Sequence, residues 1–359
     1  MKQTKEQLLS KEVTHFDIKK FDFVSLVDAM GETAFQAKNL SRAAKIYSQM
    51  LAETQCGIIL CIAGSLVSAG MKQVILDLID NNMVDIIVSN GANIVDQDFF
   101  EGLGFKHYQG SPHLDDQELQ SLAIDRIYDT LINEDELRIC DNTIATIANS
   151  LPPGVYSSRE FIYEMGRFLE KNHPNAQSIV LRACQKNIPI FVPAFSDCSA
   201  GFGLVMHQMA SPKNHVSIDS VKDFRELTQL KINLKETGLF MLGGGTPKNF
   251  AQDIVVAAEL LSAEVPLHKY AIQITVADER DGALSGSTLR EACSWGKVSV
   301  VHEQMVFSEV TLALPLIAGH AYQKGAWRHR QGLSLNRVFS TQSTDEDKTD
   351  GRMVGATCA

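Results

Sequence analysis

The chain has little of what marks extracellular or metal-binding proteins. Its seven cysteines are odd in number and scattered, without a Cys-x-x-Cys pair, which excludes a disulfide framework and a zinc ribbon. The ten histidines show no His-x-x-x-His spacing, so no metal site is expected. The first residues lack the apolar core of a secretory signal. These absences predict a cytoplasmic protein with reduced thiols.

Other absences narrow the class of ligand. No apolar run reaches the ~18 residues that a membrane span needs. Lys and Arg number 33 against 43 Asp and Glu, a net charge of −10, which argues against a nucleic-acid surface. The G-x-G-x-x-G and P-loop patterns are missing, so the common dinucleotide and nucleoside triphosphate fingerprints do not apply. A dinucleotide lying across several other loops stays possible.

The hydrophobic pattern is that of an α/β protein. Apolar runs alternate with helical stretches and end in small or polar residues, at positions 57–62, 83–88, 188–192, 238–242 and 270–274. Such runs are typical of a doubly wound, mostly parallel, Rossmann-like sheet with helices on both faces. Without a linker or repeat, we expect one large domain at 21–330. Residues 1–20 then form an N-terminal arm, and the polar residues 331–359 a disordered tail.

The loops after these runs are the expected ligand site, because ligands collect at the carboxyl ends of parallel strands. Gly243, Gly244 and Gly245 let backbone approach a ligand, and the helix that follows offers free N–H groups to an anion. A plain strand-to-helix turn explains the same residues. Acidic side chains at strand ends can hold ribose hydroxyls or amines, or simply cap turns: Asp197, Asp281 and Glu309.

Lys297 is the most informative residue of the chain. It ends the run Glu-Ala-Cys-Ser-Trp-Gly-Lys at positions 291–297, directly before an apolar stretch at 298–301. One interpretation is a lysine whose stem covers Trp295 and whose ammonium reaches water. The other is an uncharged amine beside an aromatic wall, a nucleophile that forms imines with carbonyl or iminium carbons.

Together these segments resemble the deoxyhypusine synthase family over roughly residues 25–325. The resemblance is carried by positions 34–39, 82–85, 189–197, 242–245 and above all 291–297. Ser-Trp-Gly-Lys is the active-site signature of that family, so the resemblance favours Lys297 as a nucleophile.

The resemblance implies a reaction, a cofactor and an assembly. In this family a bound NAD oxidises spermidine to an imine, the lysine takes up the aminobutyl group, and an acceptor amine then removes it. A homotetramer with sites at dimer interfaces is implied. The substrate would meet Lys297, Trp295, Glu291, Asn249, Asp281, Gly282, Phe202 and Leu284. The cofactor would meet Gly64, Ser65, Ser68, Asn90, Gly91, Ala92, Asp96, Asp197, Gly244, Val276, Ala277 and Glu309.

Several positions depart from the family pattern. Phe202 and Leu284 stand where the family has aspartates, Asn249 replaces a pocket histidine, Asp253 replaces an asparagine, and Glu309 replaces an aspartate. Losing two carboxylates weakens the grip on a polycation. These departures resemble a bacterial branch that includes homospermidine synthases, so a small diamine acceptor is expected. The alternatives are a protein lysine of a translation factor as acceptor, and a non-catalytic module that binds NAD or amines.

Overall fold

The computed structural model describes residues 3–234, 236–282 and 287–339. Its strands are β1 (Gly57–Ile62), β2 (Ile86–Ser89), β3 (Tyr108–Gln109), β4 (Ile124–Ile127), β5 (Thr130–Asn133), β6 (Gly154–Tyr156), β7 (Ile190–Phe191), β8 (Val216–Ile218), β9 (Thr237–Leu242), β10 (His268–Thr275) and β11 (Val298–Phe307). Compared with the predicted runs, β2 and β7 are shorter, and β11 extends well beyond position 301.

The helices lie on both sides of the main sheet. They are α1 (Lys5–Leu8), α2 (Val24–Met30), α3 (Phe35–Ala52), α4 (Lys72–Asp80), α5 (Phe100–Gly102), α6 (Asp116–Ser121), α7 (Glu134–Ser150), α8 (Ser158–Asn172), α9 (Ile179–Lys186), α10 (Ser199–Ala210), α11 (Ser220–Leu234), α12 (Gly245–Leu260), α13 (Leu289–Ser294) and α14 (Val310–Lys324). Wide π-type turns at Val67–Met71 and Ala92–Phe99 precede α4 and α5. Among the described residues, no helix combines the length and apolar character that crossing a bilayer requires.

The main sheet is parallel throughout, with the order β11-β10-β9-β1-β2-β7. From β1 the chain moves outward through β2 to β7. It then returns to β9, beside β1, and moves outward the other way through β10 to β11. Numbered along the chain, the order is 3-2-1-4-5-6, that of dinucleotide-binding sheets. The expected doubly wound fold is confirmed, and the direction of winding reverses between β1 and β9.

The two faces of this sheet support separate cores. On β1, Ile58, Leu60 and Ile62 are buried against one layer of helices, whereas Ile59 and Cys61 are buried against the other. This alternation follows from the two-residue period of a strand. A central strand covered on both faces must be apolar at every position, which explains why its sequence is a continuous hydrophobic run.

A buried ion pair stabilises the amino edge of the sheet. The Arg330 guanidinium donates to the Asp85 carboxylate at 2.6 Å and to the carbonyl oxygens of Asn82, Glu53 and Cys56 at 2.9, 3.0 and 3.1 Å. Both charged side chains are only 1% exposed. Arg330 therefore connects the end of the predicted domain to the segments that enter β1 and β2.

The two ends of the described chain are packed. The arm pairs with the small antiparallel sheet β3-β5-β4, since the N–H of Gln109 donates to the carbonyl of Lys11 at 2.7 Å. At the other end, Arg159 donates to Asn336 at 2.7 Å and lies 4.2 Å from the centre of the Phe339 ring. The packed chain thus extends to residue 339, beyond the predicted tail boundary at 330; the remainder of that tail lies outside the described residues.

Candidate active site

A cleft of about 900 Å³ opens at the carboxyl ends of the central strands. Its walls come from the loops that follow β1, β9, β10 and β11, together with the arm and the small sheet. The cleft therefore lies where the winding of the sheet reverses, which is where open α/β sheets bind their ligands. The arm contributes Val13 and Thr14 to one wall.

Several predicted cofactor residues meet in this cleft. Those that line it are Gly64, Ser65, Ser68, Val276 and Glu309. The lining also includes Gly243, the neighbour of predicted Gly244, whereas Gly244 and Ala277 themselves do not line it. The loops after β1 and after β11 thus converge, although they are more than 240 residues apart in the sequence.

Two glycines shape the floor of the cleft. Gly64 and Gly243 have φ angles of +70° and +80°, a backbone conformation that side chains disfavour. A Cβ at Gly243 would come within 3.1 Å of the Ala63 side chain, whereas one at Gly64 would meet nothing within 4 Å and would project into open space. The backbone itself is consequently accessible to a ligand at Gly64.

Glu309 lines the cleft and caps the helix that follows it. It precedes α14, and its carboxylate accepts hydrogen bonds from the N–H of Leu312 at 3.2 Å and the hydroxyl of Thr311 at 2.5 Å. A carboxylate at this position satisfies the free N–H groups of the helix. The sequence expectation of a cap and the expectation of a cofactor contact are therefore compatible.

The remaining predicted cofactor residues lie in the segments that follow β2 and β7. Asn90 donates from Nδ2 to the carbonyl of Gly64 at 2.9 Å, so it stabilises the loop after β1 that lines the cleft. Asp96 accepts the N–H of Ser199 at 2.7 Å, and burial raises its pKa to about 6. The other predicted residues of this group, Gly91, Ala92 and Asp197, do not line the cleft either.

The sequence did not predict the side chains that make hydrogen bonds to the backbone of the loop after β1, at residues 64–68. Asn93 is fully buried; its Oδ1 accepts the N–H of Leu66 at 2.8 Å and its Nδ2 donates to the carbonyl of Gly64 at 2.9 Å. Gln97 accepts the N–H of Ser68 at 2.9 Å. Two amides four residues apart in one helical run were the available signal, because such residues share a helix face and a buried amide needs partners.

Lys297 lies in a second cluster, outside the cleft. Its Nζ is 2.5 Å from Oδ1 of Asp253 on α12 and 5.5 Å from the centre of the Trp295 ring. The lysine side chain is only 17% exposed. The Lys297 amine is therefore held in an ion pair with Asp253 in this structure.

Lys248, a lysine that sequence reasoning did not single out, lies nearby on the same helix. It is fully buried and donates to the hydroxyl of Ser287 at 3.0 Å and also to the Ser287 carbonyl. Burial is the main cause that lowers its pKa to about 8; Glu291 opposes the shift, and the neighbouring Lys297 adds to it. Lys248 is therefore a buried amine beside Lys297 that loses its positive charge just above neutral pH.

Glu291 is engaged locally. Its carboxylate accepts the N–H of Thr288 at 2.7 Å, while the Thr288 hydroxyl accepts the N–H of Glu291 at 3.1 Å, a capping box at the start of α13. These hydrogen bonds hold the pKa of Glu291 below its usual value.

The other predicted substrate residues are spread around this cluster and beyond. Asn249 is half-buried on α12, while Asp281 and Gly282 are exposed in the loop after β10. Phe202 lies on α10 and is 62% exposed. Asp96 accepts a hydrogen bond from the first residue of this helix, Ser199. Leu284 lies outside the described residues. Among the residues that the structure describes, no group of three or more His, Cys, Asp or Glu side chains could hold a metal ion.

One chain does not bring the lysine to the cleft. Lys297 immediately precedes β11, whereas the cleft residues Ser308 and Glu309 immediately follow it. β11 pairs with β10 from His268 to Thr275, and at ~3.3 Å per residue this paired stretch spans roughly 20 Å. A lysine side chain is much shorter than this, so the two features lie at opposite ends of an edge strand.

The strand order and the cleft at its switch point define a doubly wound α/β protein of the Rossmann-like class. Comparison with known proteins gives the family. The model of the family "Deoxyhypusine synthase" matches residues 25–321, and the chain belongs to this family.

Relatives agree over nearly the whole length. The chain is 62% identical over 339 residues to the deoxyhypusine synthase-like protein of Chlorobaculum tepidum, covering 94% of this chain and 97% of the relative. It is 53% identical over 344 residues to the protein of the same description in Coxiella burnetii, covering 96% and 98%. A crystal structure assigned as a deoxyhypusine synthase from Entamoeba histolytica has a similar fold, with a TM-score of 0.57 and 18% identity, covering 87% of this chain and 97% of that one.

Proposed function

We propose that this protein is an NAD-dependent alkylamine transferase that carries an aminobutyl group on Lys297 and passes it to a small diamine. The observation that carries the proposal is the setting of Lys297. It is a mostly buried amine between an aromatic ring and a carboxylate, in the signature of the deoxyhypusine synthase family. A buried lysine of this kind suits covalent catalysis through an imine.

The cleft fits a dinucleotide. It has the strand order, the position at the switch point and the glycine floor that such a cofactor requires, and its volume of about 900 Å³ is within the range of cofactor sites. Gly64 and Ser65 would approach the cofactor through backbone, and Glu309 would face its polar groups. When bound, NAD supplies a hydride acceptor for the oxidation of an amine and returns the hydride at the end.

A complete site then needs two protomers, because Lys297 lies at the far end of β11 from the cleft of its own chain. The surface around Lys297 supports this arrangement. β11 is the edge strand of the sheet, and Trp295, Val300 and Val301 are 71%, 51% and 68% exposed. An exposed apolar edge is typical of an interface. The family's assembly, a homotetramer with sites at dimer interfaces, would place one chain's lysine at another chain's cleft.

A small acceptor follows from the replaced carboxylates. A long polycation needs a paired charge for each ammonium group that it buries. With Phe202 and Leu284 in place of two aspartates, fewer charges remain for it, and a diamine such as putrescine, giving homospermidine, suits the pocket better. A protein lysine as acceptor is the second candidate. It predicts a labelled polypeptide when the enzyme acts on spermidine in a cell extract. The third candidate, a non-catalytic module that binds NAD or amines, predicts binding without turnover.

The proposal is tested by trapping the intermediate. Purified protein incubated with NAD and spermidine, then reduced with borohydride, should carry an added aminobutyl group on the peptide that contains Lys297. With putrescine present, homospermidine should form and the adduct should fall. Without NAD, neither should appear. If no common polyamine gives an adduct or a product, the proposed activity is wrong.

The cofactor cleft can be tested by filling it. Gly64→Leu places a side chain in the cleft. We expect NAD affinity to fall by about tenfold or more, because this side chain occupies space that the ligand needs. The measurement is calorimetric titration. Gly104→Leu is the matched control, since Gly104 also has positive φ and open space at its Cβ but does not line the cleft. Equal losses in both variants would mean that backbone strain, rather than the cleft, controls affinity.

A further inference from the structure

We infer that the carboxylate of Asp253 is the counter-ion of Lys297 throughout the reaction, keeping the Lys297 imine protonated and therefore open to attack by the acceptor amine. The inference rests on the proposed function. It concerns a residue that carries a charge in this chain where the family pattern has a neutral asparagine.

Among the described residues, Asp253 is the carboxylate that forms an ion pair with Lys297. Its Oδ1 lies 2.5 Å from Nζ of Lys297. Glu291 directs its carboxylate to the N–H of Thr288 at the start of α13. The buried cation Lys248 donates to Ser287. Asp253 and Lys297 therefore pair without competition from these two residues.

Nζ is positively charged at the start of the first half of the cycle and again at its end. At rest Nζ is an ammonium in the ion pair. It gives a proton to solvent water and, as a neutral amine, adds to the carbon of the substrate iminium. One proton then moves from Nζ to the departing nitrogen, the bond from carbon to that nitrogen breaks, and the leaving amine departs neutral. The positive charge passes to Nζ, which becomes an iminium. A carboxylate in contact stabilises each of these cations.

This contact has opposite effects on the two halves of the reaction. By holding Nζ in an ion pair, Asp253 slows the first attack, because the pair has to separate before the amine can add to the substrate carbon. By stabilising the iminium, it speeds transfer to the acceptor, since a protonated imine is the better electrophile. A merely structural residue would change both halves in the same direction. The opposite signs are what an experiment should look for.

The experiment uses the full-length protein without NAD and an aliphatic aldehyde, butanal, as the probe. Borohydride quenching reports the total imine on Lys297 by peptide mass spectrometry, and the rate of reduction by cyanoborohydride, which acts on the protonated form, reports the iminium. Between pH 6 and 10, Asp253→Asn should form imine about tenfold faster at neutral pH. Its cyanoborohydride profile should move to lower pH by about one unit. Asp253→Glu should restore both profiles toward the wild type.

The matched control is Asp135→Asn, which removes the carboxylate from another lysine ion pair, Lys5–Asp135 at 2.9 Å, and should leave both Lys297 profiles unchanged. If Asp253→Asn forms imine on Lys297 with wild-type profiles, or if both halves shift in the same direction, the counter-ion role is refuted. Normal butanal profiles together with no NAD-dependent transfer would instead count against the proposed function, so the two failures are distinguishable.

Discussion

Lys297→Arg is expected to abolish the borohydride-trapped adduct and to lower amine transfer on the order of 10³-fold or more, because a guanidinium does not form an imine. The substitution keeps the positive charge opposite Asp253, so the fold and the ion pair should survive. NAD affinity should remain within about twofold of the wild type, since the substitution changes no residue that lines the cleft of its own chain and keeps the positive charge that the proposed assembly brings to a neighbouring cleft. The measurements are product formation by chromatography and adduct mass on the 297 peptide.

The chain offers a close control in Lys269. Its Nζ is paired with Glu53 at 2.7 Å and lies 5.6 Å from the centre of the Tyr270 ring, so it has the same kinds of neighbours as Lys297. Lys269→Arg should retain full transfer and trapping. If Lys297→Arg keeps substantial activity while Lys269→Arg loses it, the carrier has been assigned to the wrong lysine.

Arg330→Met is expected to lower the free energy of unfolding by about 3–5 kcal/mol, because it leaves the Asp85 carboxylate buried without its guanidinium. Burial already raises the pKa of Asp85 to about 6, and removing Arg330 raises it further. An acid whose folded pKa is raised loses stability as pH rises through that pKa. The deficit should therefore be smaller at pH 5 than at pH 8, measured by denaturant unfolding at both values.

Arg126→Gln is the comparison for that variant. Arg126 makes a bidentate pair with Asp116 at 2.7 Å, but Asp116 is 66% exposed, and exposed pairs of this kind contribute little to stability. Similar losses in the two variants would show that removing any arginine is harmful, and that burial of the Asp85 pair is not the cause.

Much of the fold could be predicted because its signals are local. The continuous apolar run of β1 is short and is followed by small residues, which favours a covered parallel strand and predicts the edge at which ligands bind. The ends of β2 and β7 were harder to predict, because pairing with the neighbouring strands, and not the strand propensity of the residues, decides where each strand ends. The family assignment was also available from the sequence, since the signature at 291–297 is specific, and it is confirmed.

The site was less predictable for a physical reason. Motifs place residues at strand ends, but they do not say which end of a strand faces which ligand. Thus Gly64 and Glu309 both line the cleft, whereas Lys297 lies at the other end of β11. The Asp253 contact depends on the packing of α12 beside the loop before β11, and nothing in the spacing of 253 and 297 indicates it. The sequence identifies Asp253 as the replacement of a family asparagine but does not indicate its ion pair with Lys297.

The walls of the cleft come from almost the whole length of the chain, since Val13 and Thr14 face a cavity that Thr311 and Leu312 also line. Nearly three hundred residues must be in place before the cleft is complete, so the cleft exists only in the fully folded protein. A ligand that binds there stabilises the entire structure by mass action, by about 2.7 kcal/mol at a concentration one hundred times its Kd. Cofactor supply would then set the protein's resistance to unfolding as well as its turnover.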